Sequence, residues 1–88
     1  MKVKYNKRFL KEMKKLPGDI RNKIEHFAFS ILPESTSLES LGNVEKMKGY
    51  SAYYKVRFGM YRIGLRKDDD FVYVERVLHR REIYRYFP

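Results

Sequence analysis

The chain contains no cysteine and only two histidines. Without cysteine it can form neither a disulfide nor a thiolate metal site, and two imidazoles are too few for an ordinary zinc site made by the protein alone. We therefore expect a function that needs no metal ion or other cofactor. The apolar runs are only a few residues long, and none follows Met1 to Lys4, so the sequence predicts neither a membrane span nor a signal peptide. The expected location is the cytoplasm.

The residue sets of several common enzymes are missing as well. No paired carboxylates are placed for acid and base catalysis, and no serine stands in a nucleophile-elbow motif. The five glycines are scattered, so none of them builds a phosphate-binding loop. The usual hydrolytic mechanisms are therefore not expected. With 88 residues, the chain is predicted to form a single domain over residues 1–88 with one compact core.

Positive charge is what the sequence has in excess. The formal net charge is +9 and the isoelectric point is about 9.9. Lysine and arginine outnumber acidic residues by eight to two in residues 1–22 and by eleven to five in residues 46–88, whereas residues 23–45 hold four acids against one base. Such a distribution favours binding to polyanions, nucleic acid first, with an acidic protein partner as the alternative.

The order of the hydrophobic patterns predicts an α+β fold with the order β-α-α-β-β-β. Val3 and Tyr5 alternate with lysines in a short first strand. Two helices follow, capped by Asn6 and Asp19 and ended by Pro17 and Pro33. Their apolar stripes are Phe9, Leu10, Met13 and Leu16 in the first helix, and Ile20, Ile24, Phe27 and Ile31 in the second. We expect this two-helix hairpin to pack on a twisted antiparallel sheet of about four strands, with the first strand at or near an edge and a short C-terminal helix or tail.

The apolar period changes to two in the second half of the chain. Strands are predicted near Val44 to Lys48, Tyr53 to Phe58, Met60 to Lys67 and Phe71 to Leu78, with Asp68 to Asp70 as a polar turn. The register of the last strand is open by one residue. Either Glu75 or Arg76 could therefore share a face with the cations of the preceding strands.

The segment from Tyr53 to Arg66 concentrates positive charge on one face of a hairpin. If Gly59 and Met60 are the central residues of its turn, Arg57 lies opposite Arg62, and Lys55 shares their face. The other face is apolar and holds Tyr54, Val56, Phe58, Tyr61, Ile63 and Leu65. Like charges that face each other across a ladder destabilise it by up to about 1 kcal/mol. The cationic face is therefore either an anion-binding site or a solvated surface of long side chains.

The last residues, Leu78 to Pro88, interleave arginines with tyrosines. Guanidinium groups clamp phosphates and tyrosine rings stack on unpaired bases, a composition that suits single-stranded RNA. The alternative is an amphipathic C-terminal helix whose Ile83, Tyr84 and Phe87 dock on the sheet while the arginines stay solvated. Tyr84 fits either interpretation.

Taken together, these elements resemble the RelE branch of the RelE/ParE toxin superfamily. The resemblance spans nearly the whole chain and rests on the order of the elements, the strand Lys55-Val56-Arg57, the turn Gly59-x-Tyr61-Arg62 and the terminal His79-Arg80-Arg81-x-Ile83-Tyr84. It implies a toxin of a type II toxin–antitoxin pair, an mRNA interferase whose partners are a cognate small acidic antitoxin, the ribosome and mRNA. The implied endoribonuclease reaction needs no metal. The ribose 2′-OH attacks the adjacent phosphodiester and leaves a 2′,3′-cyclic phosphate and a 5′-hydroxyl.

The same resemblance implies a catalytic role for five residues. Lys55 and Arg57 match the family's cationic strand pair, Arg62 its transition-state arginine, Arg80 its second arginine and Tyr84 its base-stacking tyrosine. Fixed guanidinium donors suit a phosphoryl group that gains negative charge during transfer. Because an arginine hardly gives up its proton, the role of general base falls on Lys55, whose charged form the neighbouring cations disfavour.

Further contacts to RNA are expected from Lys48, His79, Arg81, Arg85 and Tyr86. Apart from the histidine, these residues are interpreted as contacts to the nucleic-acid backbone or as solvated side chains. An imidazole can serve as an acid or a base near neutral pH. For His79 the preferred interpretation is nevertheless a hydrogen-bonded positioning residue, with Arg80 as the group that stabilises the leaving oxygen.

Two other functions stay open at this point. A ParE-like inhibitor of DNA gyrase would share the fold without cutting RNA, although the cationic strand pair and the terminal tyrosine argue against it. A nuclease-dead module that binds RNA or antitoxin is the second, because Arg57 stands where the family often has lysine.

Overall fold

Five strands form one sheet in the order β1-β5-β4-β3-β2, and the helical hairpin covers one of its faces. The computed structural model describes residues 1–88. The strands are β1 Val3–Tyr5, β2 Val44–Lys46, β3 Tyr53–Phe58, β4 Tyr61–Lys67 and β5 Val72–His79. The helices are α1 Lys7–Lys14, α2 Gly18–His26, α3 Leu32–Glu34 and α4 Ile83–Tyr86, with a π-helical turn Phe27–Ile31 between α2 and α3. None of these helices has the length and apolar character needed to cross a membrane.

The predicted α+β fold is confirmed, with two differences in the sheet. It has five strands instead of about four, because the short strands β1 and β2 both join it. The first strand lies at an edge, as expected, but it runs parallel to β5, with Val3 opposite Val72. Parallel pairing needs a long connection, and here the helices and three strands separate the two partners in sequence. All other neighbours pair antiparallel.

The two predicted helix caps have different outcomes. Asn6 caps α1, since its side chain accepts a hydrogen bond from the Arg8 N–H at 2.8 Å. The prediction for Asp19 was wrong, because α2 already begins at Gly18 and Asp19 lies in its first turn, where a carboxylate favours the helix dipole. Pro33 does not end the helical segment, which continues to Glu34. Proline is tolerated there because it occupies the first turn of α3.

The π-helical turn rotates the apolar face of the second helical segment. The Leu32 N–H bonds to the Phe27 carbonyl, so one extra residue is inserted into the helix. Ile31, predicted to lie on the stripe, is 39% exposed as a result, whereas Ala28 and Leu32 are fully buried. Ile24 is buried as predicted.

The core lies between the helices and one face of the sheet. Phe9 of α1 packs in one cluster with Val56, Ile63 and Leu65, which are all fully buried. The predicted apolar face of the β3–β4 hairpin is therefore confirmed. Its second face, with the cations, points away from the helical hairpin.

A β-bulge in the ladder between β4 and β5 sets the positions that the sequence left open. Gly64 pairs with Arg76 and Leu65 pairs with Val74, so Glu75 is the extra residue of β5. The bulge adds one residue to β5 that has no partner on β4. Alternation of apolar and polar residues does not reveal such an extra residue.

Gly64 pairs with both Lys55 and Arg76, so Arg76 lies on the cationic face of the sheet, but both charged residues at this bulge are held in ion pairs of their own. Arg76 binds the Glu12 carboxylate of α1 at 2.6 Å, and Glu75 binds Arg66 at 3.3 Å. Glu12 also accepts the Val77 N–H at 3.1 Å, which satisfies a donor on the part of β5 that extends beyond β1. The hydrogen bonds that Arg76 donates to Glu12 raise the pKa of Arg76 above its ordinary value.

The turn between β4 and β5 is organised by Asp68. Its carboxylate accepts the N–H groups of Phe71 and Asp70 at 2.8 and 2.9 Å and the Tyr73 hydroxyl at 2.9 Å. The bond from Phe71 and then that from Asp70 lower the pKa of Asp68 from its ordinary value of 3.8. A depressed carboxyl pKa contributes stability that is complete above the unfolded-state value and disappears as the pH falls through the folded-state value.

We expect Asp68→Ala to lower the melting temperature at neutral pH by a few degrees. At about pH 2 the difference from the original chain should shrink, because most of the linked stability is lost there. Asp69→Ala removes the same charge without these bonds and is the matched control, which should melt like the original chain. Equal losses in the two variants at neutral pH would show that the charge, and not the bonding of Asp68, matters.

Candidate functional site

The turn between β3 and β4 places two arginines side by side on the face away from the helices. Gly59 is the first central residue of the turn and has a φ of 56°, the left-handed value that a type II′ hairpin turn requires. The ladder then pairs Arg57 directly with Arg62, so the predicted register is confirmed. Two guanidinium groups therefore project from neighbouring backbone positions.

Glu45 lies among these cations, and the sequence analysis missed it. Strand β2 pairs Glu45 with Lys55. The carboxylate lies 3.8 Å from Lys55 Nζ and 3.1 Å from the Arg57 guanidinium. Both the Arg57 and the Glu45 side chains are about half exposed, so these ion pairs contribute little to stability. Their effect is local, because the carboxylate offsets part of the positive charge on this face.

The Tyr84 ring of α4 stands beside Lys55. Lys55 Nζ donates a hydrogen bond to the Tyr84 hydroxyl and lies 4.6 Å from the centre of the ring. Tyr84 is still 63% exposed, so most of its surface is available to another flat group. The structure thus brings the predicted stacking residue and the predicted general base together.

The Arg62 side chain is held by its own turn. Its Nη1 donates to the Gly59 carbonyl at 2.8 Å and to the Tyr61 carbonyl at 2.9 Å. A guanidinium group has five N–H donors, so further donors remain for an anion. Because the two backbone bonds fix the group before any ligand binds, Arg62 is a preorganised donor.

Arg80 follows β5 at the same end of the sheet. Its N–H donates to the Met60 carbonyl at 2.7 Å, which keeps its backbone next to the turn that carries Arg62. Arg80 itself is exposed. Its backbone position is therefore fixed near the arginine pair.

His79 lies on the opposite face of the sheet. Cross-strand partners share a face, so Leu78 lies on the side of Arg62, and His79 lies with Tyr61 on the side of the helices. The His79 and Tyr61 rings pack edge to face with centroids 5.8 Å apart, and His79 Nδ1 accepts the Arg81 N–H at 3.2 Å. These contacts agree with a positioning residue and separate His79 from the cationic face.

The other residues predicted to contact RNA are all exposed: Lys48, Arg81, Arg85 and Tyr86. Lys48 lies in the connection between β2 and β3. Tyr86 lies beside Arg76, whose guanidinium carbon is 5.9 Å from the centre of its ring. The structure therefore does not group Tyr86 with Lys55.

The C-terminal segment is anchored on the sheet by a second, smaller apolar cluster. Ile83 and Phe87 are buried there together with Met47, and Tyr53 and Leu78 pack against them. The interpretation of an amphipathic segment is therefore confirmed for Ile83 and Phe87, whereas Tyr84 stays exposed. The Phe87 ring lies directly on Gly64, where a Cβ atom would come within 2.7 Å of the ring.

We expect Gly64→Ala to lower the activity of the site about tenfold while the fold persists. The added methyl group would push Phe87 off the sheet and would move Tyr84 away from Lys55, and misplaced groups of this kind cost large factors in rate. The measurement is the single-turnover rate of the reaction proposed below. Gly42→Ala is the control, because Gly42 has open space around its Cα.

A second substitution tests whether the clash is the cause. The double variant Gly64→Ala with Phe87→Leu replaces the ring by a smaller side chain. It should recover part of the rate that Gly64→Ala loses. If Gly64→Ala has the rate of the original chain, the docking of Phe87 does not control the position of Tyr84.

No group of three or more histidine, cysteine, aspartate or glutamate side chains is placed to hold a metal ion. A helix hairpin on a five-stranded, mostly antiparallel sheet is the architecture that this chain shares with solved RelE structures. The family model described as the ParE toxin of the type II toxin–antitoxin system parDE matches residues 3–84. The chain belongs to this family of type II toxins, and the family predicted from the sequence is confirmed.

Individual relatives agree with this result. The chain is 44% identical to Toxin RelE3 of Methanocaldococcus jannaschii, over all of both chains. The toxin in the crystal structure of a RelB–RelE antitoxin–toxin complex from Methanococcus jannaschii is 41% identical and has a TM-score of 0.81, with 98% of this chain and 100% of that chain covered. The toxin–antitoxin complex RelBE2 from Mycobacterium tuberculosis matches with 29% identity and a TM-score of 0.68, covering 90% of this chain and 96% of the other.

Proposed function

We propose that this toxin is a ribosome-dependent mRNA endoribonuclease that cleaves by attack of the ribose 2′-OH without a metal ion. The observation that carries the proposal is the shared face of Lys55, Arg57 and Arg62, with the exposed Tyr84 ring beside Lys55. A phosphodiester supplies the negative charge that this face can bind, and an unpaired base supplies a flat partner for the ring. The 44% identity to Toxin RelE3 supports the RelE branch of the family.

The proposed reaction forms one bond to phosphorus and breaks another. The 2′ oxygen attacks the adjacent phosphorus, and its proton passes to Lys55 Nζ in the neutral form. Arg62 and Arg57 stabilise the negative charge that grows on the phosphoryl oxygens. The bond from phosphorus to the 5′ oxygen then breaks, and Arg80 stabilises this oxygen while it takes a proton from water. The products are a 2′,3′-cyclic phosphate and a 5′-hydroxyl.

Glu45 has to move when RNA binds. Its carboxylate and a phosphate carry the same charge and compete for Arg57, which lies 3.1 Å from the carboxylate in the free toxin. The Glu45 side chain is 45% exposed, so it can turn into solvent at small cost. In this proposal Glu45 occupies the cations in the free toxin until the substrate displaces it.

The test is cleavage of a defined mRNA on ribosomes, mapped by primer extension. The purified toxin should cut within the A-site codon when ribosomes are present and should leave the same mRNA intact without them. The matching family model carries the ParE name, so gyrase inhibition is the second candidate function. It is tested separately, in a gyrase supercoiling assay. Loss of gyrase supercoiling with intact mRNA would support that candidate. Blocked translation without cuts would instead identify a module that binds RNA but does not cleave it.

The proposed protein partner is a small acidic antitoxin of the RelB type. Two of the matching structures are complexes of a toxin with such an antitoxin. The net charge of +9 and the exposed arginines and tyrosines of the C-terminal segment favour an acidic chain that folds as it binds. The partner should co-purify from the native operon and should cover or displace this segment. A tight complex that blocks cleavage but leaves the cationic face open would contradict this mode of inhibition.

A further inference from the structure

A groove beside Tyr84 extends beyond the residues that carry the chemistry proposed above. It lies between residues 47–50, in the connection from β2 to β3, and the C-terminal segment, and its volume is about 580 Å³. This volume is typical of sites for small organic ligands and is sufficient for one nucleotide. The apolar cluster of Met47 and Phe87 forms its floor.

Two exposed tyrosines line the groove. Tyr84 is 63% exposed and Tyr50 is 49% exposed. Tyr50 is braced from behind, because its ring packs edge to face on Tyr53, with centroids 5.8 Å apart, and Tyr53 packs in the same way on Phe87 at 5.5 Å. A supported but exposed ring is a ready surface for stacking.

The shape of the turn that presents Tyr50 is fixed by its backbone. Gly49 has a φ of 82°, which residues with a side chain rarely adopt, and the Tyr50 N–H bonds to the Met47 carbonyl at 3.2 Å. The ring is thus held at the rim of the groove by a defined turn.

The charge of the groove suits a polyanion. Lys46, Lys48 and Lys55 line it together with a single acid, Glu45. That carboxylate is already shared between Lys55 and Arg57. The groove therefore has a net positive charge beside its two exposed tyrosines. This combination binds single-stranded nucleic acid.

The groove lies next to the pair Arg57 and Arg62, at a distance that suits a neighbouring nucleotide. Lys55 lines it, whereas Arg57, two residues further along β3, does not. Two residues of a strand span about 6.6 Å, a step comparable with one nucleotide. A phosphate held by Arg57 and Arg62 would therefore place the neighbouring nucleotide at the mouth of the groove.

We propose that this groove is a binding subsite for one nucleotide of single-stranded RNA next to the cleaved bond. Tyr50 provides a stacking surface for the base opposite Tyr84, and Lys48 contacts the phosphate on the far side. The inference rests on the proposed function, because the cleaved phosphate is assumed to lie at Arg57 and Arg62. It adds a residue, Tyr50, that selects which base is held beside the cut.

The test uses an RNA trimer that cannot be cleaved. Its sugars carry 2′-O-methyl groups and its bases include 2-aminopurine, whose fluorescence is quenched when it stacks on an aromatic ring. The toxin without antitoxin should quench the probe. Tyr50→Ala should weaken binding by about tenfold, and Tyr50→Phe by less than about twofold, since it keeps the ring. Phe29→Ala, a similarly exposed aromatic on the helical side, is the control and should bind like the original chain.

A second readout separates a contact to the base from a structural effect. On programmed ribosomes, Tyr50→Ala should change the relative rates at different codons, whereas a general loss of structure would lower all rates by one factor. Equal binding of the trimer by Tyr50→Ala and by the original chain would overturn the subsite, as would a failure of the original chain to bind the trimer. Unchanged trimer binding together with a weakened antitoxin complex would assign the groove to the antitoxin instead.

The two proposals can fail separately. If the original chain cuts mRNA on ribosomes and Tyr50→Ala changes neither trimer binding nor codon preference, the subsite is wrong and the proposed function stands. If the trimer binds through Tyr50 but no mRNA is cut, the groove is an RNA site on a toxin that is not a nuclease.

Discussion

Arg62→Ala is expected to lower the single-turnover rate of mRNA cleavage on programmed ribosomes by about 10²-fold or more. This is the usual loss when one preorganised donor to a developing oxyanion is removed. Two backbone carbonyls hold the Arg62 guanidinium at 2.8 and 2.9 Å in the free toxin, which favours a preorganised donor. Because its effect falls on the transition state, the affinity for the ribosome should change little.

The control for this prediction must account for both charge and folding. Arg21→Ala removes one cation from α2, which packs on the other face of the sheet, and should leave the rate unchanged. Thermal melting of Arg62→Ala should stay cooperative, since the turn keeps its glycine and its ladder. Equal rates for Arg62→Ala and the original chain would remove the catalytic role of Arg62 and would leave binding as the better account of this face.

Lys55→Met is expected to lower the same rate by about 10²-fold or more, the range for losing a general base. If Lys55 is the general base, the pH dependence of the rate should change its shape in Lys55→Met. If Lys55 only binds phosphate, the profile will keep its shape and will merely be scaled down. The pH dependence of the single-turnover rate therefore distinguishes the two roles.

Glu45→Gln is the matched variant, because it removes the carboxylate that lies 3.8 Å from Lys55 Nζ. The neutral amide competes less with a phosphate for Arg57, so the rate of Glu45→Gln near neutral pH should not fall. A loss of about 10²-fold in Glu45→Gln, with a mild effect of Lys55→Met, would transfer the role of base to Glu45.

The parts of the structure that could be predicted depend on short-range patterns. The hairpin around Gly59 follows from alternation on both sides of a two-residue turn, and this fixes Arg57 opposite Arg62. The buried faces of α1 and of the β3–β4 hairpin likewise follow from the spacing of their apolar residues, which is helical in α1 and alternating in the strands. Such features are specified within a few residues of sequence, so a single chain reveals them.

The features that were missed depend on contacts between distant residues. Glu45 joins the site only because the short strand β2 pairs with β3 at Lys55, and a three-residue strand has almost no pattern of its own. The one signal in the sequence was that Glu45 is an acid in a strand expected beside the cationic strand β3. The parallel edge strand and the contact of Phe87 with Gly64 are equally non-local. The π-helical turn was missed because the apolar spacing of its residues does not differ from that of an α-helix.

The measurement that tests the central claim most directly is cleavage of an mRNA with a single 2′-deoxy nucleotide at the mapped cut. The proposal predicts that this nucleotide abolishes cutting at that bond. It also predicts that the all-ribose mRNA yields a 2′,3′-cyclic phosphate and a 5′-hydroxyl. Cleavage that persists at the deoxy nucleotide, or a product with a 5′-phosphate, would contradict attack by the 2′-OH and with it the roles assigned to Lys55 and Arg62.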